Sequence, residues 1–201
     1  QDNGKTTVFV ACDKGYYYEH AIALLLSIYE SNGTALNIHI HVYNCDENIT
    51  KHIQALREKL PGLAMSLSSE YLVAPKATNV HYASRRFCFM QHALEIIAGP
   101  IMILGAGCLV RKPWVDCLAG DAHNEMIFSH HEGLPVWEHV PAGFIYTRGG
   151  DIAKKYFATV GHFIDVHLSD EKAEWFLDQI ALSVAVDKLT PFEQSKIGRK
   201  P

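Results

Sequence analysis

Two glycines directly follow a short apolar run in the middle of the chain, where side chains that bind ligands are common. Residues 99–110 read as Gly-Pro, four apolar residues, and then Gly105-Ala106-Gly107. Gly-Pro punctuation before an apolar run and a glycine break predicts a short buried strand. Open α/β sheets bind ligands just beyond the carboxyl ends of such strands. Because the glycines offer no side-chain ligand, either their backbone N–H groups approach a phosphate or they form a tight turn without a ligand.

Charged residues elsewhere in the chain could bind an anion or move a proton. Asp13 follows an apolar run and is either a hydrogen-bond acceptor for a base or ribose, or a capping or turn residue. Arg86 either pairs with a diphosphate or lies at a solvated helix start, and Arg86→Ala is expected to leave the melting temperature nearly unchanged. Asp178 has apolar neighbours on a helix, which favours a functional role because an unpaired buried carboxylate is costly. Glu132 is either a general base toward an acceptor hydroxyl or part of a polar loop.

Histidine is abundant, with twelve residues, and two of them alternate along one apolar run. His39 and His41 would share one face of a strand, a geometry that permits a shared metal. Three apolar residues fill the other face, so we interpret the run as a half-exposed strand. A histidine-metal hydrolase has only scattered histidines to support it.

The elements that must position these residues alternate between strands and helices in the first half of the chain. Apolar and β-branched runs predict strands at residues 6–12, 36–43, 63–68, 101–104, 125–129 and 139–147. Helical periodicity predicts helices at residues 17–31, 50–60, 84–98, 151–163 and 173–189, the last with Trp175 and Phe176 turned inward. This order predicts an α/β fold with a mainly parallel central sheet flanked by helices, with residues 101–104 in its middle.

Length and composition fit a single domain over residues 1–201. A net charge of −4 without a basic run argues against a nucleic-acid partner. No apolar stretch approaches the length of a membrane span. Five cysteines without a Cys-x-x-Cys pair predict free thiols in a reducing compartment, and we expect a cytoplasmic protein.

Six patches, in chain order, resemble the nucleotide-sugar glycosyltransferases of the GT-A type, in particular the glycogenin-like branch. The patches are residues 8–18, 81–87, the strand ending in Gly105, and residues 141–146, 175–182 and 195–200. Members of this type carry Asp-x-Asp at the strand end, which holds a divalent metal, usually manganese or magnesium, on the sugar diphosphate. Gly105 and Gly107 occupy the two aspartate positions here, so no cofactor is assigned and tight manganese binding is not expected.

The resemblance implies a nucleotide sugar, linked to uridine or guanosine diphosphate, and a glycan or other acceptor as partners. It implies base, ribose and diphosphate contacts by Ala11, Cys12, Asp13, Tyr17, Arg86 and Lys196, an acceptor side at Gly143 and Gln179, and catalysis near Asp178. Two functions stay open. One is a metal-independent glycosyltransferase whose Arg and Lys cations stabilise the departing diphosphate. The other is a non-catalytic nucleotide- or glycan-binding relative or scaffold that has lost its metal site.

Overall fold

The strands of the chain lie side by side in one sheet. A computed structural model describes residues 4–73, 78–118, 120–168 and 173–200. The strands in chain order are β1 (Thr7–Asp13), β2 (Asn37–Tyr43), β3 (Met65–Glu70), β4 (Ile101–Leu104), β5 (Met126–Ser129), β6 (Phe144–Thr147) and β7 (Ile197–Lys200). Their spatial order is β3-β2-β1-β4-β6-β5-β7. Strand β6 runs antiparallel to β4 and β5, and the other neighbouring pairs are parallel. The mainly parallel sheet with β4 in its middle is confirmed.

Helices pack on both faces of this sheet. In chain order they are α1 (Lys14–Tyr16), a π-helical segment (Tyr17–Ala21) that runs into α2 (Ile22–Asn32), α3 (Glu47–Lys59), α4 (Thr78–Ile96), α5 (Trp114–Cys117), α6 (Val136–His139), α7 (Asp151–Leu168), α8 (Leu177–Asp187) and α9 (Pro191–Gln194). Among the described residues, no helix combines the length and the hydrophobicity that a membrane span needs.

The sheet separates two apolar layers. On one side Val8 and Val10 of β1 belong to a buried cluster with residues of α2 and α3. On the other side Phe9 belongs to a cluster with residues of α4, α7 and α8. Because successive side chains of a strand point to opposite faces, one apolar run supplies both layers. The continuous apolar runs of the sequence therefore correspond to strands that are covered on both faces.

Several predicted elements differ from the structure. Helix α4 begins at Thr78 instead of residue 84, and α7 ends at Leu168 instead of residue 163. Residues 139–147 are not one strand, because α6 follows Pro135 and ends at His139, and β6 begins only at Phe144. The helix predicted from residue 173 begins at Leu177. Trp175 and Phe176 precede it and are 57% and 40% exposed, so their predicted inward position is wrong.

The histidines of β2 are buried, so the interpretation of a half-exposed strand is wrong. Helix α4 covers this face and stacks Phe89 on His41 at 4.2 Å between ring centroids. Both ring nitrogens of His39 form hydrogen bonds of 2.8 Å with β3, Nδ1 with Ser66 and Nε2 with Ser68. Burial, and then the nearby charge of His41, lower the pKa of His39 to about 4. Serine hydroxyls thus hold a neutral imidazole inside an apolar layer.

We expect the protein to lose stability in mild acid through His39. Histidine in an unfolded chain titrates at a pH of about 6.5, whereas in the folded protein the pKa of His39 is lowered to about 4. Between these values the unfolded state binds more protons. The stabilisation is therefore fully present above the unfolded pKa and is lost as the pH falls toward the folded one. From pH 7 to pH 5 this residue should contribute a loss of about 2 kcal/mol in unfolding free energy.

Urea unfolding at both pH values measures this loss. His39→Gln should show a smaller difference between the two pH values than the parent. His123→Gln changes an exposed histidine and should behave as the parent does. An equal pH dependence in all three proteins would contradict the role given to His39.

Candidate functional site

A cavity of about 490 Å³ lies at the edge of the sheet where β1 and β4 end and β6 begins. Because β6 is antiparallel to β4, its amino end meets the carboxyl ends of the parallel strands. Ligands of open α/β sheets bind at this edge. The cavity is lined by Ala11, Cys12, Asp13, Tyr16, Asn79, Tyr82, Ala83, Arg86, Gly105, Ala106, Gly107, Pro141, Ala142, Gly143, Trp175, Asp178 and Gln179.

Most of the site residues singled out in the sequence line this cavity. They come from β1, α4, the turn after β4, the segment before β6 and the first turn of α8, and are Ala11, Cys12, Asp13, Arg86, Gly105, Gly107, Gly143, Asp178 and Gln179. Tyr17, Glu132 and Lys196 are not among the lining residues. The fold therefore gathers positions that lie far apart in sequence, while their roles in binding and catalysis stay predictions.

An ion pair joins two helices in the cavity wall. Arg86 of α4 donates from Nη2 to Oδ2 of Asp178 on α8 at 3.2 Å. The side chains are 12% and 9% exposed. The other carboxylate oxygen of Asp178 accepts a hydrogen bond of 2.9 Å from the backbone N–H of Gln179. Arg86 is therefore not a solvated residue at a helix start, because its charge is largely buried and is paired with Asp178.

The two glycines lie in the turn that follows β4, and this turn is bonded to the residue that precedes β6. The backbone N–H of Gly105 donates to the carbonyl of Gly143, and the N–H of Cys108 donates to the carbonyl of Gly105, both at 2.9 Å. Neither Gly105 nor Gly107 has a positive φ. A Cβ at Gly105 would lie 3.6 Å from Cys108 Sγ, and one at Gly107 would lie 3.7 Å from Tyr16 Oη. These are ordinary van der Waals distances, so each position has room for a Cβ.

The residues present do not fit the divalent metal that the resemblance implies. Gly105 and Gly107 carry no ligand atom on their side chains. Among the described residues no group of three or more His, Cys, Asp or Glu side chains could hold a metal ion. No step of the chemistry proposed below passes through a metal.

Of the two tyrosines that follow the end of β1, Tyr16 lines the cavity and Tyr17 does not. Tyr17 is fully buried and its hydroxyl forms a hydrogen bond of 2.8 Å with Nδ1 of His52. Asp13 caps helix α1 by accepting the backbone N–H of Tyr16 at 3.0 Å. This cap fixes Tyr16 on the cavity side, where it is 46% exposed. The capping role considered for Asp13 is confirmed. The family resemblance pointed to Tyr17, whereas the residue that lines the cavity is its neighbour Tyr16.

The cations near the end of the chain lie away from the cavity. Residues 197–200 form β7, which sits beside β5 at the edge of the sheet. Lys200 pairs with Asp121. Arg199 pairs at 3.2 Å with Glu132, which is 80% exposed. The ammonium of Lys196 lies 5.4 Å above the ring of Phe192. Among the described residues that line the cavity, Arg86 is thus the sole cation.

The one cysteine among the described lining residues does not offer a nucleophile. Burial raises the pKa of the Cys12 thiol to about 12, with smaller contributions from nearby Asp13 and Cys45. The thiolate, not the thiol, is the nucleophile of cysteine chemistry. At neutral pH Cys12 therefore acts as a small apolar residue in the cavity wall.

Solved structures show what kind of fold contains this cavity. No family model matches the sequence, and no curated protein matches it. The chain is similar to the glycosyltransferase GlyE of Streptococcus pneumoniae TIGR4, with 16% identity and a TM-score of 0.64 over 99% of this chain and 46% of that one. The bifunctional glycosyltransferase WbbM gives 14% identity and a TM-score of 0.65 over 99% of this chain and 39% of that one.

The galactosyltransferase LgtC, solved with donor and acceptor sugar analogues, is a third similar structure. Its identity is 15% and its TM-score 0.63, over 96% of this chain and 72% of that one. At such identities the likeness shows a GT-A-like glycosyltransferase fold. The chain spans less than half the length of GlyE and WbbM.

Removal of Arg86 should destabilise the empty protein, unlike the expectation from the sequence. Arg86→Ala leaves the Asp178 carboxylate largely buried without its partner, at a cost on the order of 3 kcal/mol. The double variant Arg86→Met with Asp178→Leu removes both charges and should recover most of this loss. Chemical denaturation of the parent, Arg86→Met, Asp178→Leu and the double variant measures the coupling, with Arg86→Ala measured beside them. Equal stability of Arg86→Ala and the parent would contradict a structural pair.

We expect no tight manganese binding by the parent, whereas Gly105→Asp combined with Gly107→Asp should create it. A Cβ at either position meets only ordinary van der Waals contacts, and oxygen ligands suit Mn²⁺. Calorimetry with Mn²⁺ compares the two proteins, with Gly105→Asn combined with Gly107→Asn as the uncharged control. Micromolar affinity in the parent, lost on changing Asp13 or Asp178, would refute this expectation.

Proposed function

We propose that this chain is a glycosyltransferase of the glycogenin-like branch that transfers a sugar from a nucleotide-sugar donor. The donor would be linked to uridine or guanosine diphosphate, and the acceptor would be a glycan or another hydroxyl compound. The observation that carries the proposal is the Arg86–Asp178 pair in the wall of the strand-end cavity. In this pair a guanidinium, the group that would bind the diphosphate, lies next to a carboxylate in a glycosyltransferase fold.

Different lining residues would contact different parts of the proposed donor. The end of β1, from Ala11 to Asp13, would contact the base and ribose, and the exposed ring of Tyr16 lies beside it. Arg86 would bind the diphosphate through charge-assisted hydrogen bonds. A phosphate oxygen competes with the Asp178 carboxylate for the same guanidinium, so donor binding would turn Asp178 toward the sugar. Glu132 and Lys196 would reach the donor only if their segments moved.

Metal-independent transfer requires positive charge where the nucleoside diphosphate departs. Positioned cations stabilise developing negative charge because they are already oriented when the reaction occurs. Arg86 is the cation that the described cavity walls supply. Loss of its pairing to Asp178 would make the full guanidinium charge available to the leaving group.

A non-catalytic nucleotide- or glycan-binding relative is the second candidate. The observation that favours it is the charge of the cavity, in which Arg86 faces two carboxylates, Asp13 and Asp178, among the described lining residues. A leaving group with about two negative charges gains little net attraction from such a site. Binding without turnover would distinguish this candidate from the transferase.

The cytoplasmic location predicted from the sequence is part of the proposal. The five cysteines are free thiols, which is typical of proteins in reducing compartments. A nucleotide sugar and a glycan, rather than a nucleic acid, would be the partners there.

Nucleotide binding is the decisive measurement. We expect uridine or guanosine diphosphate, or a sugar linked to one of them, to raise the melting temperature of the parent by mass action, with or without Mn²⁺. Arg86→Lys keeps the charge but loses the bidentate fork, and should weaken this binding about tenfold. Arg199→Ala removes a cation outside the cavity and should not change it.

Two other results would change the conclusion. If no nucleoside diphosphate or nucleotide sugar shifts the melting point at millimolar concentration, the transferase proposal fails. If the nucleotide sugar binds but no nucleoside diphosphate is released with any acceptor in a glycan panel, the non-catalytic relative replaces it.

A further inference from the structure

A tryptophan forms part of the cavity wall with much of its surface open. Trp175 lines the cavity and is 57% exposed. The other two tryptophans do not line the cavity. Trp114 is packed in the core at 9% exposed, and Trp137 is 40% exposed but is not among the lining residues. The indole of Trp175 is therefore a large flat apolar surface directed to the one place where a ligand is expected.

The backbone next to this tryptophan is strained. Phe176 has a φ of 73°, in the left-handed region that only Asn44 shares among the described non-glycine residues. Such a conformation is uncommon for a non-glycine residue and is found preferentially at functional sites. Phe176 is itself 40% exposed. The bend lets Leu177 enter the core at 6% exposed while Trp175 remains at the cavity.

The indole is also restrained before any ligand arrives. The rings of Trp175 and Phe176 form an edge-to-face contact at 6.2 Å between centroids. Side chains that are already ordered lose less entropy on binding. A flat apolar ring in the wall of a cavity that also contains polar side chains is suited to stack on a flat apolar ligand surface.

Trp175 precedes a helix that is tied to the β6 side of the cavity. Helix α8 is tied to the segment before β6, because Ser183 Oγ donates to the carbonyl of Val136 at 2.8 Å. Gly143, at the end of that segment, lines the same cavity. Strand β4 lies between β6 and β1, so these two strands are about 10 Å apart. The first turn of α8 adds Asp178 and Gln179, whose polar groups suit hydroxyls.

We infer that Trp175 is a stacking platform for the pyranose ring of a neutral carbohydrate acceptor. This inference rests on the proposed sugar transfer and names its acceptor class. One face of many pyranose rings presents only C–H groups and is apolar, whereas the hydroxyls lie around the rim. Stacking removes that face and the indole from water together, while Asp178 and Gln179 take hydroxyls at the rim. The acceptor class is thus a glycan with an open ring face, not a hydroxyl of a polypeptide side chain.

The test uses the methyl glycosides of glucose, galactose, mannose and N-acetylglucosamine as probes, with sorbitol as a polyol that lacks a ring. Binding to the full chain is followed by ligand-observed NMR. We expect at least one glycoside to bind and sorbitol not to bind. Trp175→Ala should weaken glycoside binding roughly three- to tenfold, and Trp175→Phe should retain part of it. Trp137→Ala is the matched control, an exposed tryptophan outside the lining, and should bind as the parent does.

The same variants are titrated with uridine and guanosine diphosphate in the thermal-shift assay. Because Trp175 is exposed, its variants should have the same melting temperature as the parent. They should also bind the nucleotides as tightly as the parent does. If Trp175→Ala weakens nucleotide binding as much as glycoside binding, the indole stacks on the base and the inference is overturned. The inference is also overturned if Trp137→Ala weakens glycoside binding as much as Trp175→Ala does. Nucleotide binding without any glycoside binding overturns the platform but leaves the proposed function standing. Glycoside binding that depends on Trp175, with no nucleotide binding, supports the platform and refutes the transferase.

Discussion

The direction of one strand determines where the candidate site of this molecule lies. The chain enters β6 antiparallel to β4 in a sheet that is otherwise parallel through β3, β2, β1 and β4. This reversal brings Gly143 beside Gly105, joined by a backbone hydrogen bond of 2.9 Å. The carboxyl ends of β1 and β4 and the amino end of β6 then surround one opening, which α4 and α8 close from the side. If β6 were parallel, its amino end would lie at the opposite edge of the sheet and the cavity would lack that wall.

Much of this architecture is readable from the sequence, for identifiable physical reasons. Strand β4 matches its prediction residue for residue because Gly-Pro and glycine delimit four buried apolar residues. Strand β7 was not predicted, because its Ile197 is followed by glycine and two cations and no apolar pattern marks a strand. Its extended conformation depends instead on its pairing with β5. The partnership of Arg86 with Asp178 spans 92 positions. No local periodicity encodes such a contact, although the apolar neighbours of Asp178 did indicate that its carboxylate needs a partner.

The site also shows where family resemblance is less reliable than local chemistry. The resemblance pointed to a tyrosine at the start of the helix and selected Tyr17, which lies in the core with its hydroxyl on His52. The π-helical segment that starts there gives this tyrosine and its predecessor different surroundings. An aspartate cap accepts the backbone N–H of the second or third helical residue, and the cap at Asp13 accepts that of Tyr16. Similarly, the cations of the last patch are engaged by Asp121 and Glu132 instead of facing the cavity.

The glycine turn after β4 has an evolutionary consequence. Neither Gly105 nor Gly107 has a backbone conformation that demands glycine, and the space around each would hold a Cβ. The backbone of this turn is therefore not specialised for glycine. Codons for glycine and aspartate can differ by a single base, so as few as two point mutations would place an acidic pair at this strand end. The backbone of the turn would need no new conformation to carry that pair.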